Sequence, residues 1–239
     1  MKLFELEFDP KCSCALEAAQ NLNVDFAHGC NTRGAMASGV AAVVAKNYPF
    51  LQREDKKLSR AGLVTLGSFI RHVGMHGLPY VGHTFKNGAI PSDCSFIYNF
   101  YTQMNPGPGS LSYSAITRCF HDYFNSRLQE RDDVKLIIPE IGCGLAGGSR
   151  LRVLYSIRKA FDLVEVHEAK SVSVLMQIWG DGFVQGWNRL HHEMQWALTT
   201  DLDKPVDEVV KSILGHDDLL GEAVDSLTVD QILDYLDGV

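Results

Sequence analysis

Two glycine-rich stretches hold the residues of this 239-residue chain that are best suited to chemistry. The first, His28-Gly-Cys-Asn-Thr-Arg-Gly34, continues through Gly39 into a run of small residues, Val40 to Lys46, that Pro49 closes. The second is Gly142-Cys-Gly-Leu-Ala-Gly-Gly148. Glycine lets successive backbone N–H groups turn toward one point, and a helix start adds partial positive charge, so either stretch suits an anion such as phosphate. His28 adds an imidazole, which titrates near neutrality and can take a proton from an attacking water. Asn31 adds a carboxamide able to meet a sugar hydroxyl or to cap the turn itself. Cys143, between loop glycines near a helix start, has the setting that lowers a thiol pKa, but it reads better as a small packed residue.

Other motifs carry less. Gly142-x-Gly144-x-x-Gly147 matches the dinucleotide fingerprint, with Glu165 about 20 residues on. That loop normally opens its domain, whereas here 140 residues with a comparable loop precede it. The phosphate-binding pattern G-x-x-x-x-G-K-[ST] is absent. Cys12-x-Cys14 has no second pair at finger-like spacing, Gly74 and Gly77 interrupt His72 and His76, and His191-His-Glu193 is not H-E-x-x-H. No metal site is therefore expected. Two loops at one edge suit a ligand with two phosphates and a sugar beyond them.

Each loop needs a strand before it and a helix after it. Val24–Ala27 and Val134–Pro139 are short apolar runs, as expected of strands covered on both faces. Leu3–Phe8 alternates like a half-exposed strand, Ser95–Thr102 reads as a central strand and Ser171–Trp179 as another. Helices are expected over Cys14–Gln20, Val40–Asn47, Ser112–Leu128 and Leu151–Leu163. Leu51–Arg60 reads as a charged surface connection, Ala61–Phe69 and Tyr80–Phe85 as weaker strands, and Asn105-Pro-Gly-Pro-Gly-Ser110 as a break. This alternation implies a layered α/β sheet, with both glycine loops beyond strand carboxyl ends, where ligands sit in such sheets. From Phe183 the pattern is helical: Phe183, Trp187, Leu190, Met194 and Ala197 mark one face, and Thr228-Val-Asp-Gln231 has the form of a capping box. Residues 1–182 are thus expected to form the domain and 183–239 an acidic helical extension.

The totals narrow the partners. Net charge is −7, but Asp201 to Val239 holds eleven acids against Lys204 and Lys211, leaving a nearly neutral body. Such a body can hold a phosphorylated small molecule with local donors, while the acidic tail argues against nucleic acid. No apolar run reaches the roughly 18 residues needed to cross a membrane, and the start has no signal-peptide core. Six scattered cysteines fit reduced thiols, so a cytoplasmic location is expected.

His28-Gly-Cys-Asn31, Gly34-Ala-Met36 and Gly39-Val-Ala41 resemble the first loop of macrodomains, the ADP-ribose-binding modules. More narrowly they resemble the branch holding ADP-ribose-1''-phosphate phosphatases and ADP-ribosyl-glutamate hydrolases. Ile138-Pro-Glu-Ile-Gly-Cys-Gly-Leu-Ala-Gly-Gly148 is similar to that branch's second loop, and Asn99-Phe-Tyr-Thr-Gln103 to its central strand. The resemblance spans roughly residues 1 to 180. It implies a three-layer α/β/α macrodomain with a mixed central sheet, binding ADP-ribose or ADP-ribose-1''-phosphate without cofactor or metal. Asn31 would hold the distal ribose, and Gly34, Gly39 and Val40 would shape and supply the first phosphate site. Gly142, Cys143, Gly144, Leu145, Ala146, Gly147 and Gly148 would wrap the diphosphate. Asp9 would grip adenine, with Asp25 a second choice and Trp179 a possible flanking aromatic. His28 would be catalytic in releasing the terminal phosphate; the alternatives are removal of ADP-ribose from a modified protein or other macromolecule, and a non-catalytic ADP-ribose reader. Gln103 and Ala146 stand where the glutamyl-hydrolase subgroup has a lysine and an aspartate, so its lysine-adduct mechanism is not implied. The loop ends Gly147-Gly-Ser-Arg150 where many relatives read Gly-Gly-Asp-Trp.

Overall fold

The computed structural model describes residues 3–9, 14–73, 95–148, 150–165 and 170–177. In chain order the elements are β1 (Leu3–Asp9), α1 (Ala15–Leu22), β2 (Asp25–Asn31), α2 (Gly39–Asn47), α3 (Pro49–Arg60), β3 (Phe69–Val73), β4 (Phe96–Gln103), α4 (Tyr113–Glu130), β5 (Asp133–Pro139), α5 (Arg150–Asp162) and β6 (Ser171–Gln177). The six strands form one sheet in the order β1-β6-β5-β2-β4-β3. All neighbours run parallel except β3, which pairs antiparallel with β4 at the edge. The sheet is therefore mixed, as expected.

Side chains alternate between the two faces along each strand. Ala27, Tyr98, Phe100, Leu136, Ile138 and Val174 pack with α4 and α5 residues in one core, while Phe26, Ile97 and Ile137 pack with α1, α2 and Leu51 in the other. Burial on both faces explains why β2 and β5 read as continuous apolar runs.

Three expectations need correction. Leu51–Arg60 is not a connection but most of α3, opened by Pro49 in its first turn and anchored by buried Leu51 and Asp55, one turn apart. Residues 61–68 form turns, and the edge strand begins only at Phe69. β2 runs on to Asn31, because Gly29 and Cys30 go on pairing with Phe100 and Tyr101 of β4. The candidates Tyr80–Phe85, Cys12, His76, Trp179 and the 183–239 extension lie outside the described residues. No described helix is long and apolar enough to cross a membrane.

At the amino end of β2, Asp25 is buried in an ion pair with Arg127 of α4 (Nε–Oδ2 2.7 Å), each side chain 1% exposed. Its oxygens also accept from the Tyr123 hydroxyl at 2.9 Å and the Phe96 amide at 2.9 Å. The Arg127 guanidinium lies 4.8 Å from the Phe96 ring centroid and also meets Glu130, which Arg71 of β3 binds at 2.6 Å. This cluster fastens α4 across β2, β4 and β3 at the edge opposite the glycine loops. It also occupies Asp25, so that residue is a structural anchor and not the second choice for adenine.

Removing one partner of a buried pair strands the other charge, at a cost of about 3–5 kcal/mol. Arg127→Met is expected to lower unfolding free energy by that order in denaturant titrations. The double variant with Asp25→Asn is expected to recover part of the loss, since no full charge then remains stranded.

Candidate functional site

The connections after β2 and β5 leave in opposite directions. From β2 the chain passes through α2 and α3 toward β3 and β4, while from β5 it passes through α5, on the other face, to β6. The β2–β5 ladder covers only Asp25 with Leu136 and Phe26 with Ile137, so the two strands part before their carboxyl ends. Such a parting is the crevice where open α/β sheets hold ligands.

The loop after β2 forms one wall. The Asn31 carboxamide is 7% exposed and accepts from the Arg33 and Ala35 amides, both at 3.2 Å, while donating to the Ala35 carbonyl at 2.8 Å. Asn31 thus builds the turn with its own side chain. Gly34 is buried against α3, where an added Cβ would lie 3.0 Å from the Lys56 Cα. The loop then surfaces through Ala37, Ser38 and Gly39, all exposed, into α2. The Ser38 side chain does not cap this helix, and no acid stands in its first turn. Its first backbone bond runs from Ala42 to the Ser38 carbonyl, so the N–H groups of Val40 and Ala41 have no partner within the helix, while Gly39 turns the chain into it at φ +57°.

The loop after β5 forms the facing wall. It closes on itself through Gly148 N–H to the Gly142 carbonyl (2.8 Å) and Gly147 N–H to the Gly144 carbonyl (2.9 Å). Gly29 in β2 lets it start close by, since a Cβ there would stand 3.2 Å from Ile141. Leu145 is 65% exposed at the loop's tip, and its Cδ1 lies 3.9 Å from where a Gly39 Cβ would be. The two walls therefore meet across the crevice at Gly39 and Leu145. Cys143 is half-buried with its thiol donating to the Ile141 carbonyl at 3.5 Å, as a packed residue would.

A third segment, which the sequence showed only as a break, completes the rim. Residues 104–112 follow β4, the strand beside β2, and so emerge at the same edge. Leu111 packs under Gly142 and Gly148, and Pro108 approaches Gly147. Thr32 donates to the Met104 carbonyl at 2.8 Å, and Arg33 Nε donates to Asn105 Oδ1 at 3.0 Å. Neighbouring strand ends belong to one parallel set, a relation no local pattern announces.

His28 does not reach this rim. It lies inside β2 with 0% exposure on the α3 face. Its Nε2 meets Asn99 Oδ1 at 2.9 Å. Asn99 donates its amide to Asp55 of α3 at 3.3 Å, and Asp55 also accepts from the Tyr101 hydroxyl. Since the Asn99 nitrogen is used on Asp55, its oxygen must accept, and the His28 proton belongs on Nε2. Burial holds the His28 pKa down to about 4, so the ring is neutral at pH 7. His72 of β3 is also held down to about 4, first by burial and then by the nearby His28. His28 was expected at a strand–loop junction; the ladder with β4 places it well inside the sheet.

The remaining predicted residues fall along one edge. Asp9 ends β1, in register with Gln177 of β6. With β6 and β5 between β1 and β2, and with β5 and β2 parting, the Asp9 backbone stands at least about 14 Å along the sheet from the end of β2. Val40 is half-buried at the helix start, and Ala146 is buried beneath the second loop. Glu165 follows α5, a 13-residue helix of roughly 20 Å that carries the chain back to the far edge. It cannot meet a ribose at the 142–148 loop, so the single-loop dinucleotide reading loses its acid. Among the described residues no group of three His, Cys, Asp or Glu side chains is arranged to hold a metal.

The architecture is that of the macrodomain fold. The chain superposes on the macrodomain of Mycobacterium tuberculosis DarG with a TM-score of 0.51 at 18% identity, over 72% of this chain and 98% of that one. It superposes on a macrodomain protein of Streptomyces coelicolor with a TM-score of 0.50 at 19% identity, over 74% and 100%. No family model matches the chain. In sequence it is 32% identical over 131 residues to an uncharacterized 17.5 kDa protein in the tk–vs intergenic region of Enterobacteria phage T4, spanning 52% of this chain and 72% of that protein. The chain belongs to the family of that phage protein.

Two measurements follow from the site's construction. Gly34 has φ +67° against α3 backbone, whereas Gly144 has no neighbour within 4 Å of an added Cβ. Gly34→Ala is expected to lose about 1–3 kcal/mol of stability and Gly144→Ala almost none, read from denaturant midpoints.

The second concerns acid. The unfolded chain protonates His28 and His72 near pH 6.5, the folded one only near 4, so unfolding takes up protons at these two rings between these values. Stability is full above pH 6.5 and falls toward pH 4, by on the order of 3 kcal/mol per histidine. Asp55, its pKa raised by burial, opposes part of this at the acid end. His28→Gln keeps a donor for Asn99 and removes one titrating ring, so midpoints measured across this range should fall less steeply with acid.

Proposed function

We propose that the crevice binds ADP-ribose and its derivatives, with the diphosphate between the first turn of α2 and the 142–148 loop. The observation that carries this reading is the uncapped, acid-free start of α2, which brings Gly39 beside Leu145 across the parted ends of β2 and β5. Backbone donors at a helix start suit phosphate and need no cation or metal. Asp9, at the far end of the same edge, is proposed for adenine, and the Asn31-shaped turn for the distal ribose. In this role Asn31 mainly fixes the loop, because its carboxamide is already engaged.

The finer reading is hydrolysis of the terminal phosphate of ADP-ribose-1''-phosphate to ADP-ribose. This requires water and a group to take its proton. His28, neutral but wholly enclosed and donating to Asn99, is placed to hold β2 against α3, and we propose it as a positioning residue. A reader that only binds ADP-ribose is the second reading, favoured by that enclosure and by Ala146 in place of an acid. Release of ADP-ribose from a modified protein is a further alternative, read by incubating the chain with an ADP-ribosylated protein and following free ADP-ribose.

Calorimetric titration with ADP-ribose, NAD and ATP tests the ligand class, and ADP-ribose is expected to bind most tightly. Tight NAD binding with no ADP-ribose binding would overturn the reading. Phosphate release from ADP-ribose-1''-phosphate then separates enzyme from reader. If turnover is seen, His28→Gln is expected to keep it within about tenfold, against the 10²–10⁴ loss of a missing general base.

A further inference from the structure

We propose that Arg33 recognises a terminal phosphate on the distal end of the ligand, making this site selective for phosphorylated over unphosphorylated ADP-ribose. The inference rests on the binding mode proposed above. Carboxyl ends of the parallel strands lie in the order Asp9, Gln177, Pro139, Asn31 and Gln103. A ligand whose adenine sits at Asp9 and whose diphosphate crosses α2 therefore places its distal group toward β4 and the 104–112 segment. Arg33 stands there: its amide donates to Asn31, and its Nε donates to Asn105 at 3.0 Å.

The three rim segments, residues 32–38, 104–112 and 140–148, contain one cation, Arg33, and one acid, Glu140. The Arg33 side chain is exposed, and no acid pairs with it among the described residues. Its bond to Asn105 uses Nε alone, which fixes the guanidinium plane and leaves both Nη groups for a partner. A guanidinium held in this way meets two phosphate oxygens at once, whereas neutral ribose hydroxyls gain much less from it. The diphosphate needs no such residue, since backbone N–H groups serve it. A further dianionic phosphate beyond the ribose has no other cation on these segments.

The test is the ratio of dissociation constants for ADP-ribose and ADP-ribose-1''-phosphate, measured by calorimetry on the full chain, with a non-hydrolysing phosphonate analogue if the phosphate is turned over. Wild type is expected to favour the phosphorylated ligand by about 10- to 100-fold, the range of a charge-assisted bond. Arg33→Ala should bring the ratio near one, Asn105→Ala should lower it partly, and Arg33→Lys should restore some of it. A merely structural role for Arg33 would weaken both ligands alike and leave the ratio standing, which would overturn the proposal. So would a wild type that binds ADP-ribose without preferring its phosphorylated form. A wild type that binds neither ligand instead overturns the ADP-ribose reading itself.

Discussion

Two adjacent parallel strands whose chains leave toward opposite faces cannot be closed over by their own connections. That constraint, at β2 and β5, organises everything else at the site. The ladder ends after Phe26 and Ile137, the following loops become opposed walls, and the start of α2 borders the gap at Gly39. The walls hold position because each is tied elsewhere: the first through Asn31 and through Gly34 on α3, the second through Ile141 against Gly29 and through Leu111. A loop fixed at its base presents its N–H groups without having to be ordered by the ligand, which lowers the entropic cost of binding.

Much of this was legible beforehand for a physical reason. Strands buried on both faces must be short and apolar, so Val24–Ala27 and Val134–Pro139 announced themselves. Ile116, Phe120 and Phe124 showed the face of α4 by their spacing, and Ser112 does cap it, accepting from the Ala115 amide at 3.2 Å. What could not be read were long-range pairings. The extension of β2 through Cys30 depends on β4, about seventy residues away. Asp55 sits in a charged string that looks solvated, yet its partners Asn99 and Tyr101 are more than forty residues distant.

The displacement of His28 from junction to interior follows from the same limit. A histidine beside a glycine loop invites a chemical role, and only the strand ladder decides whether its ring faces the crevice or a helix. Facing α3, it joins Asn99, Asp55 and Tyr101 in a buried polar chain. Asp55 Oδ2 and His72 Nε2 have no hydrogen-bond partner among the described residues. Buried polar groups of this kind favour one arrangement of α3 on the sheet, because any slip would leave more of them unpaired. Gly34 then transmits that placement to the first loop, since only a residue without Cβ lets the loop rest on the helix backbone.

Glycines therefore serve two separable purposes here, and counting them overstates the phosphate site. Gly34 and Gly148 are crowded by backbone atoms and Gly29 lies close against Thr102 and Ile141, so packing favours the lack of a side chain there whether or not a ligand binds, and Gly142 takes φ +75°. Gly144 stands open and exposed, and Gly39 adjoins only the tip of Leu145. Space left beside them is space a ligand can occupy, and Gly39 lies where the helix field is strongest. Gly39 takes φ +57°, a conformation that itself favours glycine, so Gly144, which neither packing nor a positive φ demands, marks the ligand side of the crevice better than the length of either glycine run.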